Sequence, residues 1–288
     1  MAPANCQLAG MNLVWESKSR VETTPTLLTV LGCGTSTGVP LIGCDCSVCR
    51  SKNPRNQRLR ASAWVRTRGK SFLIDTSTDL RLQALRHKIR RVDAVLYTHP
   101  HSDHVLGIDE MRSYNYLQRS EISVYGNDWT CAELPTRFDY VFTPPKKIEG
   151  GGVPQLVMNR VDASRYSVEK PLLIEGVPVV PIALQHGSKE VLAYRIDSIA
   201  YVTDTSYIPA RSLEQLRGLS VLILDCLRLE PHGTHFNLDQ ALEVVSQVRP
   251  KKTYLTHLGH DFEYAKWSRK LPKGVFLAYD GLTVRAKS

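Results

Sequence analysis

The sequence predicts a layered α/β fold, and three observations carry that prediction. Short runs of β-branched and aliphatic residues alternate with longer stretches whose apolar residues recur at helical spacing. Histidine or aspartate stands directly after several of the short runs, at 94–104, 184–186, 200–204 and 253–257. With 288 residues, 42% of them hydrophobic and 23% charged, the chain can bury a substantial core. The alternation favours α/β layers over an all-β barrel.

Residues 1–25 have no clear period and read as a tail, with Met11 an alternative start to Met1; one domain is expected over 26–288. A strand at 26–31 leads into Gly32-Cys33-Gly34-Thr35-Ser36-Thr37-Gly38-Val39-Pro40, whose glycines allow close approach of backbone. Runs at 63–68 and 71–75 form a hairpin turning at Gly69-Lys70, and Leu80, Leu82, Leu85 and Ile89 mark a helix. A strand at 94–98 precedes a histidine-rich loop; helices at 105–117 and 129–140 enclose a strand at 122–125. The proline- and glycine-rich stretch 142–154 reads as a long surface loop. Strands follow at 156–161, 172–184, 191–197 and 199–203, then a helix at 209–217 and a strand at 221–225. A helix at 238–248 with Asn237 as its cap, a strand at 253–256, a helix at 263–270 and strands at 275–278 and 283–285 close the chain.

The loop His99-Pro100-His101-Ser102-Asp103-His104 places three imidazoles and a carboxylate within six residues of a buried strand. These are the donor types and the crowding that a divalent metal requires. The pattern H-x-H-x-D-H resembles the signature of the metallo-β-lactamase-fold hydrolases. That resemblance implies an αββα sandwich, two mixed β-sheets flanked by helices, with a binuclear site of divalent metals. It assigns His99, His101 and His186 to one metal, Asp103, His104 and His257 to the other, and Asp204 to a bridge. Asp75, at the end of Leu73-Ile74-Asp75, matches the family's early aspartate, which orients the metal loop. Two divalent cations offset by Asp103, Asp204 and a bridging hydroxide leave a small net positive charge, which suits a singly charged phosphodiester.

Gly43-Cys44-Asp45-Cys46-Ser47-Val48-Cys49 is a second cluster. Cys44, Cys46 and Cys49 are too close together for all to pair as disulfides, and they read as thiolate ligands of a structural zinc with His260 as the fourth donor. Cys6, Cys33, Cys131 and Cys226 read as ordinary core or surface residues.

The glycine loop ending in Gly38-Val39-Pro40, the cysteine cluster and Thr256-His257-Leu258-Gly259-His260 together resemble the phosphoribosyl cyclic phosphodiesterase, or PhnP-like, branch over residues 28–281. The resemblance implies two catalytic manganese or zinc ions, one structural zinc, and a histidine acting on the leaving group. That histidine is His235, with His232 competing for the role. The expected function is hydrolysis of a small cyclic or nucleotide-like phosphodiester through a metal-bridging hydroxide. A tRNA-processing nuclease and a non-catalytic cofactor-biosynthesis accessory protein of the same fold are the alternatives.

The formal charge of +9 favours anionic partners. RNA is the less favoured partner, because the basic run Arg50, Lys52, Arg55, Arg58 and Arg60 has no aromatic residue for stacking. No apolar run is long enough for a membrane span and no signal peptide is evident, so a cytoplasmic protein is expected, and a homodimer fits that picture.

Overall fold

The computed structural model describes residues 25–143 and 152–286. The expected N-terminal tail and the middle of the 142–154 loop therefore lie outside the described residues. The first half of the chain runs β1 (Thr26–Gly32), β2 (Ser62–Thr67), β3 (Lys70–Ile74), α1 (Leu80–His87), β4 (Ala94–Leu96), α2 (Ser102–Val105), α3 (Met111–Gln118), β5 (Ile122–Gly126), α4 (Asp128–Arg137), α5 (Asp139–Phe142) and β6 (Leu156–Arg160). The second half runs β7 (Leu172–Ile174), β8 (Val177–His186), β9 (Lys189–Ile196), β10 (Ile199–Val202), α6 (Ala210–Gln215), β11 (Val221–Asp225), α7 (Leu238–Val248), β12 (Lys252–Thr256), α8 (Tyr264–Ser268), β13 (Val275–Leu277) and β14 (Thr283–Ala286).

Two seven-stranded mixed sheets result, ordered β14-β1-β2-β3-β4-β5-β6 and β13-β12-β11-β10-β9-β8-β7. Side chains alternate between the faces of a strand, and that alternation builds the layers. In β11, Val221 and Ile223 enter the core between the sheets, while Leu222 and Leu224 enter the core beneath the helices. In β3, Phe72 and Ile74 face inward and Leu73 packs outward under the helices of the first half. Strands buried on both faces read as unbroken apolar runs, as these do. The layering is the expected αββα sandwich.

Several boundaries depart from the sequence reading for local reasons. The first hairpin turns on Arg68-Gly69, both at positive φ, and Lys70 is already in β3. The single strand expected at 172–184 is a hairpin, because Glu175 and Gly176 adopt positive φ and turn the chain. The helix expected at 129–140 is interrupted at Phe138, shortly after Pro135.

The topology matters for the site because β3 and β4 run parallel in one sheet, and β10, β11 and β12 run parallel in the other. Their C-terminal ends lie at one edge of the sandwich, and Asp75, His99, Asp204, Asp225 and His257 each stand at or just beyond one of those ends. Among the described residues no helix is long and apolar enough to cross a membrane.

Candidate metal centre

Asp75 organises the histidine loop from below. One carboxylate oxygen accepts from Thr98 N at 2.7 Å, and the other accepts from Thr98 Oγ1 at 2.8 Å and from His104 Nδ1 at 2.7 Å. Nε2 of His104 is then free to turn toward the loop's other donors. His99 Nδ1 lies 3.0 Å from the same threonine hydroxyl. With that hydroxyl's proton on Asp75, His99 donates through Nδ1 and presents a bare Nε2, only 3.0 Å from His101 Nδ1. His186, the last residue of β8, donates its Nδ1 proton to Thr234 O at 2.7 Å and likewise presents Nε2. The ligand atoms of His99, His101 and His186 all lie within 4.8 Å of one another.

Asp103, His104, Asp204 and His257 form a second such group. Asp204 stands between the two. Its oxygens lie 3.4 Å from His104 Nε2, 3.4 Å from His257 Nε2 and 3.7 Å from His99 Nε2. Asp75, Asp204 and His257 all have positive φ, a conformation that costs free energy in non-glycine residues and persists where surrounding structure enforces it.

The donor chemistry fits two divalent cations. Asp103 Oδ2, His104 Nε2 and His257 Nε2 are buried and make no hydrogen bond. Such atoms are costly unless a further partner satisfies them. The electrostatics point the same way. Burial opposes charge on His104, yet Asp204, Asp103 and Asp75 outweigh it and raise its pKa well above the ordinary value. Burial also opposes ionisation of Asp204, but His257 and His104 hold it well below the usual carboxylate range. The carboxylates thus demand positive charge at the centre of the cluster. His99 and His186, where burial lowers the pKa, are suited to bind as neutral imidazoles.

His235 is buried beside this cluster, its Nε2 3.9 Å from Asp204 and its Nδ1 3.2 Å from Asp225. Burial disfavours its charged form, but Asp225 prevails and raises the pKa to about 9. Asp225 is the residue that sequence reasoning overlooked. It closes β11, accepts from Thr205 N and Phe236 N at 3.2 Å each, and has its other oxygen 3.8 Å from His257 Nδ1. Its signal was present: an apolar strand ending in aspartate, the same pattern as Ile74-Asp75. Trp129, on α4, was also missed; its ring meets the edge of His101 at 5.3 Å, and Lys189 lies over it at 5.4 Å. His232 is more exposed, with its ring 5.3 Å from that of His235.

The cysteine cluster assembles as well. Sγ of Cys44, Cys46 and Cys49 lie 3.3, 3.6 and 3.5 Å from His260 Nδ1. A tetrahedral zinc with bonds of about 2.3 Å to sulfur and about 2.1 Å to nitrogen separates these donors by about 3.6 Å, so the four fit it. A hydrogen bond from the Cys49 amide contributes most to lowering the Cys46 thiol to about 6, whereas burial raises Cys49 to about 11. Arg58, fully buried, donates to the carbonyls of Gly259 and Phe262 and holds the turn carrying His260. Of the basic run, Arg58 is thus held inside the fold and Arg60 pairs with Asp79, while Arg50 pairs with Asp45 at the surface and Arg55 lies against Tyr264 and Tyr279.

Two donor sets meeting on a shared aspartate, at the C-terminal edge of facing mixed sheets, define a metal-dependent hydrolase of the metallo-β-lactamase fold. Residues 70–258 match the family model described as the beta-lactamase superfamily domain. A solved diphosphatase from the PhnP family is 41% identical, covering 92% of this chain and 98% of that one, with a TM-score of 0.83. The chain belongs to the beta-lactamase superfamily and, within it, to the PhnP family. Zinc-bound PqqB from Methylobacterium extorquens, at 17% identity and a TM-score of 0.68 over 90% of this chain and 99% of that one, shares the fold. Human tRNase Z, short form, shares it at 16% identity and a TM-score of 0.60, over 90% of this chain and 98% of that one. An octanoyltransferase of Porphyromonas gingivalis is 35% identical over 256 residues, 88% of this chain; the chain spans 50% of that protein's length.

Proposed function

We propose that this protein is a binuclear metal-dependent phosphodiesterase acting on a small cyclic or nucleotide-like substrate. The observation that carries the reading is the convergence of His99, His101 and His186 on one side and Asp103, His104 and His257 on the other upon Asp204. These residues would hold two divalent ions, manganese or zinc, with Asp204 bridging. Such a pair supplies Lewis acidity, activates water near neutral pH and offsets charge on the phosphoryl oxygens.

The chain's own groups supply the rest. Asp75 fixes the ring of His104, and Thr234 O fixes that of His186, so these donors are oriented before a substrate arrives. Asp225 holds His235 with Nε2 directed over Asp204, where it donates a proton to the departing oxygen. Cys44, Cys46, Cys49 and His260 would hold a structural zinc that ties the early loop to the segment presenting His257. The diphosphatase activity named for the PhnP-family relative supports phosphoryl chemistry. The acyl transfer named for the Porphyromonas relative concerns a protein twice as long. An RNA substrate loses support because Arg58 is buried against backbone carbonyls, and Arg55 and Arg60 are held against Tyr264, Tyr279 and Asp79.

The deciding experiment is hydrolysis of bis(p-nitrophenyl) phosphate by manganese- or zinc-loaded protein, with Asp103→Ala as the control. Turnover that disappears in the variant supports the reading. A fully metallated wild type that leaves this diester and cyclic nucleotides intact refutes it.

A further inference from the structure

We infer that Trp129 forms a stacking platform for a nucleobase carried on the part of the substrate that stays on phosphorus. The inference rests on the phosphodiesterase reading above. Trp129 sits in the first turn of α4 and is only partly buried, with its ring 5.3 Å from that of His101 and 6.2 Å from that of His99. It therefore borders the metal donors without being one of them. An indole face offers a substrate no hydrogen bond of its own, so its complement is a flat, weakly hydrated group.

The hairpin joining β8 to β9 fixes which side of the centre this platform serves. His186 and Lys189 are paired directly across it, so their side chains leave the same face of the sheet. Gly187, at positive φ, brings the turn so close to Thr234 that a Cβ there would lie 3.0 Å from the threonine methyl carbon. On the other strand, Asn127 Nδ2 donates to Glu190 O at 2.8 Å, while Asn127 Oδ1 caps α4 by accepting from Thr130 N at 3.0 Å. The loop of His235 thus borders β8, and Trp129 borders β9. The rings follow the same order, with His235 4.7 Å from His186, His186 5.1 Å from His101 and His101 5.3 Å from Trp129. A group held by Trp129 lies away from the oxygen that His235 would protonate.

Lys189 marks the accessible face of the ring. It is exposed, its Nζ lies 5.4 Å from the centre of the indole, and among the described residues no carboxylate pairs with it. That face is covered by a flexible, hydrated side chain and not by packed core. An exposed cation–π contact is weaker than the stacking of a base on an aromatic side chain, so a base displaces Lys189. The displaced ammonium stays within reach of an anion, and a substrate that brings the base also brings its phosphate. An aliphatic substituent gains less from the indole face than a planar base does.

The test compares thymidine 5′-(p-nitrophenyl phosphate) with methyl p-nitrophenyl phosphate, using the full chain loaded with manganese. Both diesters are singly charged and release p-nitrophenol, so only the retained group differs. Wild type is expected to favour the thymidine ester by about tenfold or more in kcat/KM. Trp129→Ala should reduce that preference to about threefold or less with its manganese content unchanged, and Trp129→Phe should be intermediate. No preference in wild type, an equal preference in Trp129→Ala, or equal slowing of both esters overturns the platform, the last because it marks a ring that only packs against His101. Calorimetric titration separates this claim from the phosphodiesterase reading. Thymidine 5′-phosphate should bind Trp129→Ala about tenfold more weakly than wild type, whereas deoxyribose 5-phosphate, which lacks the base, should bind both alike. Hydrolysis of neither ester by the metallated protein, with that binding pattern intact, removes the phosphodiesterase reading and keeps the platform; loss of both removes both.

Discussion

Asp225 Oδ2 and His235 Nδ1 lie 3.2 Å apart, and the same carboxylate accepts the amides of Thr205 and Phe236. One buried strand-end aspartate thus fixes the loop carrying His235, the histidine itself and the turn after Asp204 at once. His235→Ala should retain both catalytic metals while slowing diesters with poor leaving groups by about a hundredfold or more, and nitrophenyl esters far less. Metal content and a leaving-group series measure this together. Loss of metal, or equal slowing across the series, would remove the proton-donor role.

Asp225→Asn separates positioning from charge. The amide can still accept from His235, but the carboxylate's hold on the imidazolium is gone. Turnover of poor leaving groups is expected to fall about tenfold or more, with thermal stability reduced because two buried amides lose a charged acceptor. Retention of full activity on those substrates would show that His235 needs no such partner.

Asp75→Ala leaves Thr98 N and His104 Nδ1 without their acceptor in a fully buried place. Orienting partners of this kind typically contribute 10- to 100-fold in metal affinity, roughly, so the variant should bind manganese that much more weakly. Competition with a chelator reads the change directly, and unaltered affinity would contradict the orienting role.

Cys46→Ala should lower zinc content by about one ion per chain and reduce the melting temperature, while the His and Asp donors remain in place. Elemental analysis beside thermal unfolding is sufficient. An unchanged metal count would show that Cys44, Cys46, Cys49 and His260 hold no ion.

Asp280 sets a pH dependence of stability away from the metal centre. Its oxygens accept from Cys33 N at 3.1 Å and Leu59 N at 2.8 Å, and burial raises its pKa to about 6. Because the folded pKa exceeds the unfolded value, the fold binds more protons between about pH 4 and about pH 6. The stability contribution is full below that window and declines as pH rises through it, by about 1 to 3 kcal/mol. Denaturant unfolding of wild type and Asp280→Asn across the window should show the wild type losing ground relative to the variant. Parallel curves would contradict this assignment.

Much of the site was legible because its donors are local in sequence or follow a recognisable strand. His99, His101, Asp103 and His104 sit in one loop, and Cys44, Cys46 and Cys49 in another. His186, Asp204 and His257 each follow a short β-favouring run, and the resemblance to the family picked them out as a set. Asp225 was less visible because an aspartate ending a strand has many ordinary uses, and its partner His235 is ten residues away across a loop. The place of Arg58 was hidden for a related reason: it belongs to a basic run, the usual mark of a solvated surface, yet carbonyls of the distant turn 259–262 hold it inside the fold.

The hydrophobic alternation and the donor motifs, both properties of neighbouring residues, determined the layered fold class and the types of ligand. The resemblance implied which donors meet; the tertiary structure is what brings them together physically, because that depends on parallel strands from two sheets ending at one edge. Asp204 between His99, His104 and His257, and Asp225 between His235 and His257, are relationships between distant segments. No local pattern records them, since the free energy that brings such segments together comes from the core buried between the sheets.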